Sequence, residues 1–174
     1  MRKMQSLAIA TTLLLAAGIP VAAQQPAPAP APPPVTPYGA PIGLEAAKKA
    51  MAAAEAEAAK NNWPMAIVIL DSTGHVVMLH KLDNTQYGSI QVAEGKAETA
   101  VNFRRPSKVF EDLVAGGGQG LRILALHGAT PLEGGVPIIA DGKVIGAVGV
   151  SGGTSTQDAQ VAKAGADAAK WGAG

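Results

Sequence analysis

The chain has no cysteine, which excludes disulfides, thiolate metal sites, cysteine nucleophiles and a lipid anchor on an N-terminal cysteine. Aromatic residues are almost as scarce, at 3% of a chain that is 48% hydrophobic. The core therefore has to be packed from Val, Ile, Leu and Ala, which favours thin elements in close contact. An excess of one charge is missing too. Of 14 basic side chains two, Arg2 and Lys3, lie in a segment expected to be removed, leaving 12 against 13 acidic ones and a net charge of −1. With no basic run, the electrostatic footprint that a phosphate backbone selects is absent, and nucleic acid is set aside as a partner.

What is present begins with an export pattern. Arg2 and Lys3 open the chain, Leu7 to Ile19 is apolar, and Val21-Ala22-Ala23 supplies a small-residue cleavage site before Gln24. These are the three parts of a secretory signal peptide over residues 1–23. The apolar run ends at Pro20, short of the ~18 to 20 residues that a spanning helix needs. The expectation is a periplasmic or secreted protein with no membrane insertion after cleavage. Residues 24–41, QQPAPAPAPPPVTPYGAP, form a proline-rich spacer, because repeated proline fixes φ and removes amide donors. A single domain is expected over residues 42–174.

Within that domain an alanine-rich helix is predicted from Leu44, with Ala47, Met51, Ala54 and Ala58 on its inner stripe, ending at Asn61-Asn62. A hairpin follows, Met65 to Leu70 and His75 to Leu82 around the turn Asp71-Ser72-Thr73-Gly74. Ser89 is read as the cap of a second helix with Ile90, Ala93, Ala97 and Ala100 inward, and Pro106 opens a third that Gly116-Gly117-Gly118 ends. Leu121 to Leu126 is ambiguous. Val136 to Ala140 and Lys143 to Val150 form a second hairpin across Asp141-Gly142. Ser155 with Asp158 reads as a capping box for a last helix with Val161, Ala164, Ala168 and Trp171 inward. This order implies an α+β fold, an antiparallel sheet covered by helices.

Candidate chemistry is sparse. Of three histidines, His75 and His80 fall on opposite faces of one regular strand and cannot share a metal ion. His80 ends a strand, and His127 stands before Gly128 and the Gly134-Gly135 loop, where backbone can come close to a flat ligand. Arg104-Arg105 follows a helix and is suited to forked hydrogen bonds with carboxylates, although cations complementing a helix C-terminus account for them equally. No phosphate loop, nucleophile elbow or paired acid and base is readable.

Five pieces in order, Asp71-x-x-Gly74, Lys81-x-Asp83, Lys96-Ala97-x-Thr99-Ala100, Gly134-Gly135-Val136-Pro137-Ile138 and Val144-Ile145-Gly146-Ala147-Val148-Gly149-Val150-Ser151-Gly152-Gly153, resemble the GlcG/HbpS family from Ile42 to Lys170. The resemblance implies a profilin-like or PAS-like domain forming homo-oligomers, often octamers, whose exported members bind haem. Iron release or redox sensing is proposed for some of them. No haem ligand is carried over from the resemblance; the candidate pocket is the region of the Lys96 to Thr99 helix face and the His127 to Pro137 loop. The candidate cofactor-binding residues are His127, His80, Lys96, Thr99, Arg104, Arg105, Gly134 and Gly135, with His127 as the candidate ligand of haem iron. Three readings stay open. One is a haem-binding protein that sequesters haem or iron or senses redox state. Another is an enzyme or accessory protein for a small hydroxy acid such as glycolate, its carboxylate held by Lys96 with Arg104 or Arg105. The last is an oligomeric assembly module without a ligand.

Overall fold

The computed structural model describes residues 35–169; the expected signal peptide, most of the spacer and Trp171 lie outside them. The elements are α1 (Leu44–Lys60), β1 (Ala66–Asp71), β2 (Val76–Lys81), α2 (Ser89–Asn102), α3 (Lys108–Ala115), a 3-10 helix (Gly118–Ala125), β3 (Gly135–Ala140), β4 (Lys143–Ser151) and α4 (Ser155–Ala169). Both expected hairpins form. They join through β1 and β4 into one antiparallel sheet of order β2-β1-β4-β3. The fold is α+β, an antiparallel sheet between helices.

Alternation of side chains along the two central strands divides the core. Ile67, Ile69, Val148 and Val150 face α1 and α4, whose Ala47, Ala50, Ala54, Ala162 and Ala166 are buried against them. Ala66, Val68, Leu70 and Ala147 face α2, which meets them through Ala93, Ala97 and Ala100. The shortage of large side chains is met by close approach. A Cβ on Gly149 would lie 2.0 Å from the Ala93 carbonyl oxygen, so α2 rests directly on the backbone of β4. Gly165 serves the contact between α4 and α1 in the same way, with the Ala50 carbonyl 2.9 Å from its missing Cβ.

Several local expectations shift. Leu44, expected on the inner stripe of α1, is exposed, and Ala46 and Ala50 join Ala47, Met51, Ala54 and Ala58 there. Ser89 is not a cap: it is the first residue of α2, its side chain is buried, and its Oγ accepts from Gln86 Nε2 at 3.0 Å. The last capping box lies one residue earlier than expected. Thr154 N–H donates to Gln157 Oε1 (2.9 Å) and Gln157 N–H to Thr154 Oγ1 (3.4 Å), which frees Asp158 to turn inward along the stripe Val161, Ala162, Gly165, Ala166. Ala164 and Ala168, expected on that stripe, are only half-buried. α3 starts at Lys108, just past Pro106, and the ambiguous run is the 3-10 helix.

The end of the spacer is built into the domain. Where β1 stops at Asp71, residues 37–39 take its place beside β4, with Val144 N–H donating to Pro37 O and Gly39 N–H to Val144 O, both at 2.8 Å. Tyr38 Oη donates to the carbonyls of Val101 (2.8 Å) and Asn102 (3.0 Å), satisfying acceptors left over at the end of α2. Proline is tolerated there because this strand-like segment is an edge and needs donors on one side only.

Candidate functional site

Lys96 lies on the inner face of α2 among alanines, and its ammonium is buried with no opening to a ligand. Nζ donates to Asp158 Oδ2 at 2.6 Å and to the Val150 carbonyl at 3.1 Å, and the two side chains are 2% and 4% exposed. The other Asp158 oxygen accepts the Gly153 N–H at 3.0 Å. Removing two charges from water costs several kcal/mol each; here each charge has its counter-charge and at least one further hydrogen bond. The pair ties α2, the end of β4 and the start of α4 into one knot.

Thr99, Gly134 and Gly135 belong to the same seam. Thr99 Oγ1 donates to Gly95 O and accepts the Thr130 N–H, each at 2.7 Å, which holds the loop before β3 onto α2. Gly134 has φ +127°, a conformation that glycine adopts without strain, and a Cβ there would sit 3.0 Å from Lys96 Nζ. A Cβ on Gly135 would meet the Lys96 carbonyl at 2.0 Å. Gly135 N–H donates to Ser107 Oγ (2.8 Å), and Ser107 N–H returns to Gly135 O (3.0 Å). Lys96, Thr99, Gly134 and Gly135 thus come together as packing and hydrogen bonding.

The two arginines form a different place. Arg104 and Arg105 sit at one end of an open groove of about 470 Å³ between the edge strand β3 and α4. Val136, Pro137, Ile139 and Ala159 give it an apolar wall, and Lys163 stands on the α4 side. Pro137 is compatible with β3 because an edge strand has one side that needs no donor. Arg104 adopts φ +53°. Its guanidinium lies 5.0 Å from the centre of the Tyr38 ring and donates through Nη1 to Thr36 O at 3.4 Å, while its buried Nε has no hydrogen-bond partner. Arg105 is exposed, and its Nε donates to Phe103 O at 3.0 Å, which leaves the outer edge of the fork available. Lys163 pairs with Asp167, and Glu133 lines the groove as well.

The histidines lie apart from this groove. His80 Nδ1 is 2.7 Å from Glu55 Oε1 of α1, at the β2 edge. His127 is exposed in the loop after the 3-10 helix. His75 is in the β1–β2 turn, its Nδ1 2.7 Å from Thr73 Oγ1. Among the described residues no three His, Asp or Glu side chains converge as a metal site. A larger hollow of about 570 Å³ lies beside the start of α1, lined by Gly39 to Ala46 together with Asp141, Lys143 and Ile145. Its charges, Glu45, Asp141 and Lys143, give no cationic excess, whereas the groove at β3 sets Arg104, Arg105 and Lys163 against Glu133 and Asp167 and so has the better claim to an anion.

Lys163, Ala159 and Tyr38 escaped the sequence reading, which takes Asp158 as part of a helix cap and not as the partner of Lys96. For Asp158 a signal existed: it shares the i, i+3, i+4 stripe of Val161 and Ala162, which is a core position. Tyr38 was hidden by its proline-rich neighbours.

Two helices on one face of a four-stranded antiparallel sheet, one on the other, and a groove with an apolar wall and a cationic end define a small three-layer α+β domain. The family described as "Haem degrading protein HbpS-like" matches residues 42–167, and the chain belongs to this HbpS-like family. Protein GlcG of Escherichia coli (strain K12) is 43% identical over 110 residues, 63% of this chain and 81% of GlcG. The crystal structure of HbpS has a TM-score of 0.69 at 30% identity, covering 75% of this chain and 91% of that one. The PduOC:heme complex has a TM-score of 0.67 at 25% identity, covering 74% and 94%.

Proposed function

We propose that this is an exported haem-binding protein that works as a homo-oligomer, sequestering haem or iron or sensing redox state. One observation carries the reading: the groove at β3 joins an apolar wall to a cationic end. A flat apolar ring with carboxylates at one edge has that same division, and pockets of this kind bind through apolar walls with a few placed polar groups. Val136, Pro137 and Ile139 would meet the ring, and Arg105 and Lys163 its carboxylates, Arg105 through its fork. Bound haem would supply redox-active iron. No imidazole lines the groove: His127 and His80, the candidate iron ligands, lie apart from it, and titration of a variant of each tests whether either ligates the iron. The relatives add support, one of them described as a heme complex and the family as haem degrading. Export rests on the residue 1–23 pattern.

Haemin titration of the chain from Gln24, read in the Soret region, is the test. Saturable binding at about one haem per one or two subunits is expected, weakened by Arg105→Ala and by one of His127→Ala and His80→Ala. No saturable change, with a serum albumin control responding, refutes it. In that case a melting temperature raised by glycolate would favour the hydroxy-acid reading. N-terminal sequencing of the exported protein is expected to begin at Gln24.

A further inference from the structure

Half of the exposed large apolar side chains among the described residues fall on one stretch. They are Val109, Leu113, Leu121, Leu124, Leu126 and Leu132, on α3, the 3-10 helix and the loop that follows. The 3-10 helix has no buried residue, and its Leu121 and Leu124 are 50% and 65% exposed. In a 3-10 helix residues i and i+3 eclipse, so these two leucines stand one above the other. Runs longer than about 3 to 4 residues are uncommon in that geometry, yet this one has eight. Few side chains hold it within its own monomer: the 3-10 helix buries none, and α3 buries only Phe110, whose ring packs at a tilt against Phe103 with centres 4.9 Å apart.

The same face holds a recess. Leu113, Gly120 and Ile123 line a depression of about 240 Å³ between α3 and the 3-10 helix. Gly120 makes it possible: a Cβ there would lie 1.8 Å from the Leu113 carbonyl. We infer that this face is where two copies of the chain dock about a two-fold axis, the leucine projection of each seated in the recess of the other. A surface carrying both projection and recess is complementary to itself, as an isologous interface requires. Charge agrees. Lys108, Glu111, Asp112 and Arg122 frame the face with two charges of each sign, so copies meet without like-charge excess, whereas a strongly charged partner would find no counter-field. Of residues 108–132, 15 are exposed, a face at the small end beside the ~20 to 30 residues a side of a standard interface.

This gives the self-association proposed above a location and does not depend on haem, so failure of the haemin titration leaves it standing. The test is sedimentation equilibrium of the chain from Gln24 without haem, for wild type, Leu124→Asp and Leu79→Asp. Leu79 is an exposed apolar residue on the β2 edge, outside the face. The expected result is an assembled wild type, dissociation at least about 30-fold easier in Leu124→Asp, the scale of a hot-spot loss, and no change in Leu79→Asp. Circular dichroism checks that both variants fold. Should Leu124→Asp misfold, Leu121→Gln takes its place, with the same weakening expected. A wild type monomeric at about 100 μM, where even a weak micromolar association would be populated, overturns the inference. So does assembly unchanged by Leu124→Asp, or lost only in Leu79→Asp.

Discussion

The seam around Lys96 and the face around Leu124 invert the usual arrangement of a small domain. In the seam a lysine and an aspartate are buried at 2.6 Å, while on the face a leucine is 65% exposed. The seam is closed in the monomer, because both charges are paired and both also bond backbone groups. The face is open, because the backbone turns of α3 and the 3-10 helix place their apolar side chains outward. Burial therefore does not follow residue type here. It follows where a partner group is available, inside the chain for the ion pair and outside it for the leucines.

The comparison predicts very different sensitivities. Asp158→Leu leaves Lys96 buried and unpaired and is expected to cost about 3 to 5 kcal/mol, with most of this recovered in the double variant Lys96→Met, Asp158→Leu. Chemical denaturation of the three proteins measures both steps; a double variant as unstable as the single one would mean that the pair is needed for more than charge neutralisation. Next in size is Gly149→Ala. Its Cβ meets backbone at 2.0 Å, and overpacking against atoms that cannot turn away is expected to cost about 3 kcal/mol, visible as a lower denaturation midpoint.

A smaller effect is expected at Asp71 in the β1–β2 turn. Burial pushes its carboxyl up, but hydrogen bonds from Thr73 Oγ1, the His75 N–H and the Thr73 N–H, with the nearby His75, hold it below its ordinary value of 3.8. A depressed carboxyl stabilises the fold above that value and loses the contribution as pH falls through the lowered one. Asp71→Asn is therefore expected to cost less than about 1 kcal/mol at neutral pH, the group being partly solvated. The gap from wild type should close below about pH 3.8, as melts across pH 2 to 7 would show. Least of all, Leu124→Asp is expected to change the stability of the monomer by no more than about 0.5 kcal/mol in dilute solution. A large loss there would place that leucine in the monomer core.

Much of the fold was legible because it rests on local rules. The alternating runs at 66–71 and 144–150, the Asp141-Gly142 turn and the alanine stripe of α1 each express a backbone period or a turn preference that neighbours in sequence settle. The caps were harder. Thr154 and Ser155 are both competent caps, and the choice between them depends on whether Asp158 is needed at the helix end or in the core, where Lys96 waits 62 residues away in sequence. The candidate site divided in the same way. Arg104 and Arg105 were found as a local doublet, but the wall they face comes from β3 and α4. Lys96, Thr99, Gly134 and Gly135 stood out as a pattern, and only the packing of α2 on β4 showed that they share a seam.

By itself the sequence determined the α+β class, the two hairpins, the helices and the absence of cysteine chemistry, since composition, period and turn chemistry act over a few residues. Tertiary structure decided that Lys96 serves the core and that Tyr38 closes α2. It also decided that the cationic groove forms at β3 and that the leucines of the 3-10 helix face outward. Each of these depends on groups far apart along the chain. Their meeting is set by how helices settle on a sheet whose glycines leave room for backbone, and no local preference encodes that distance.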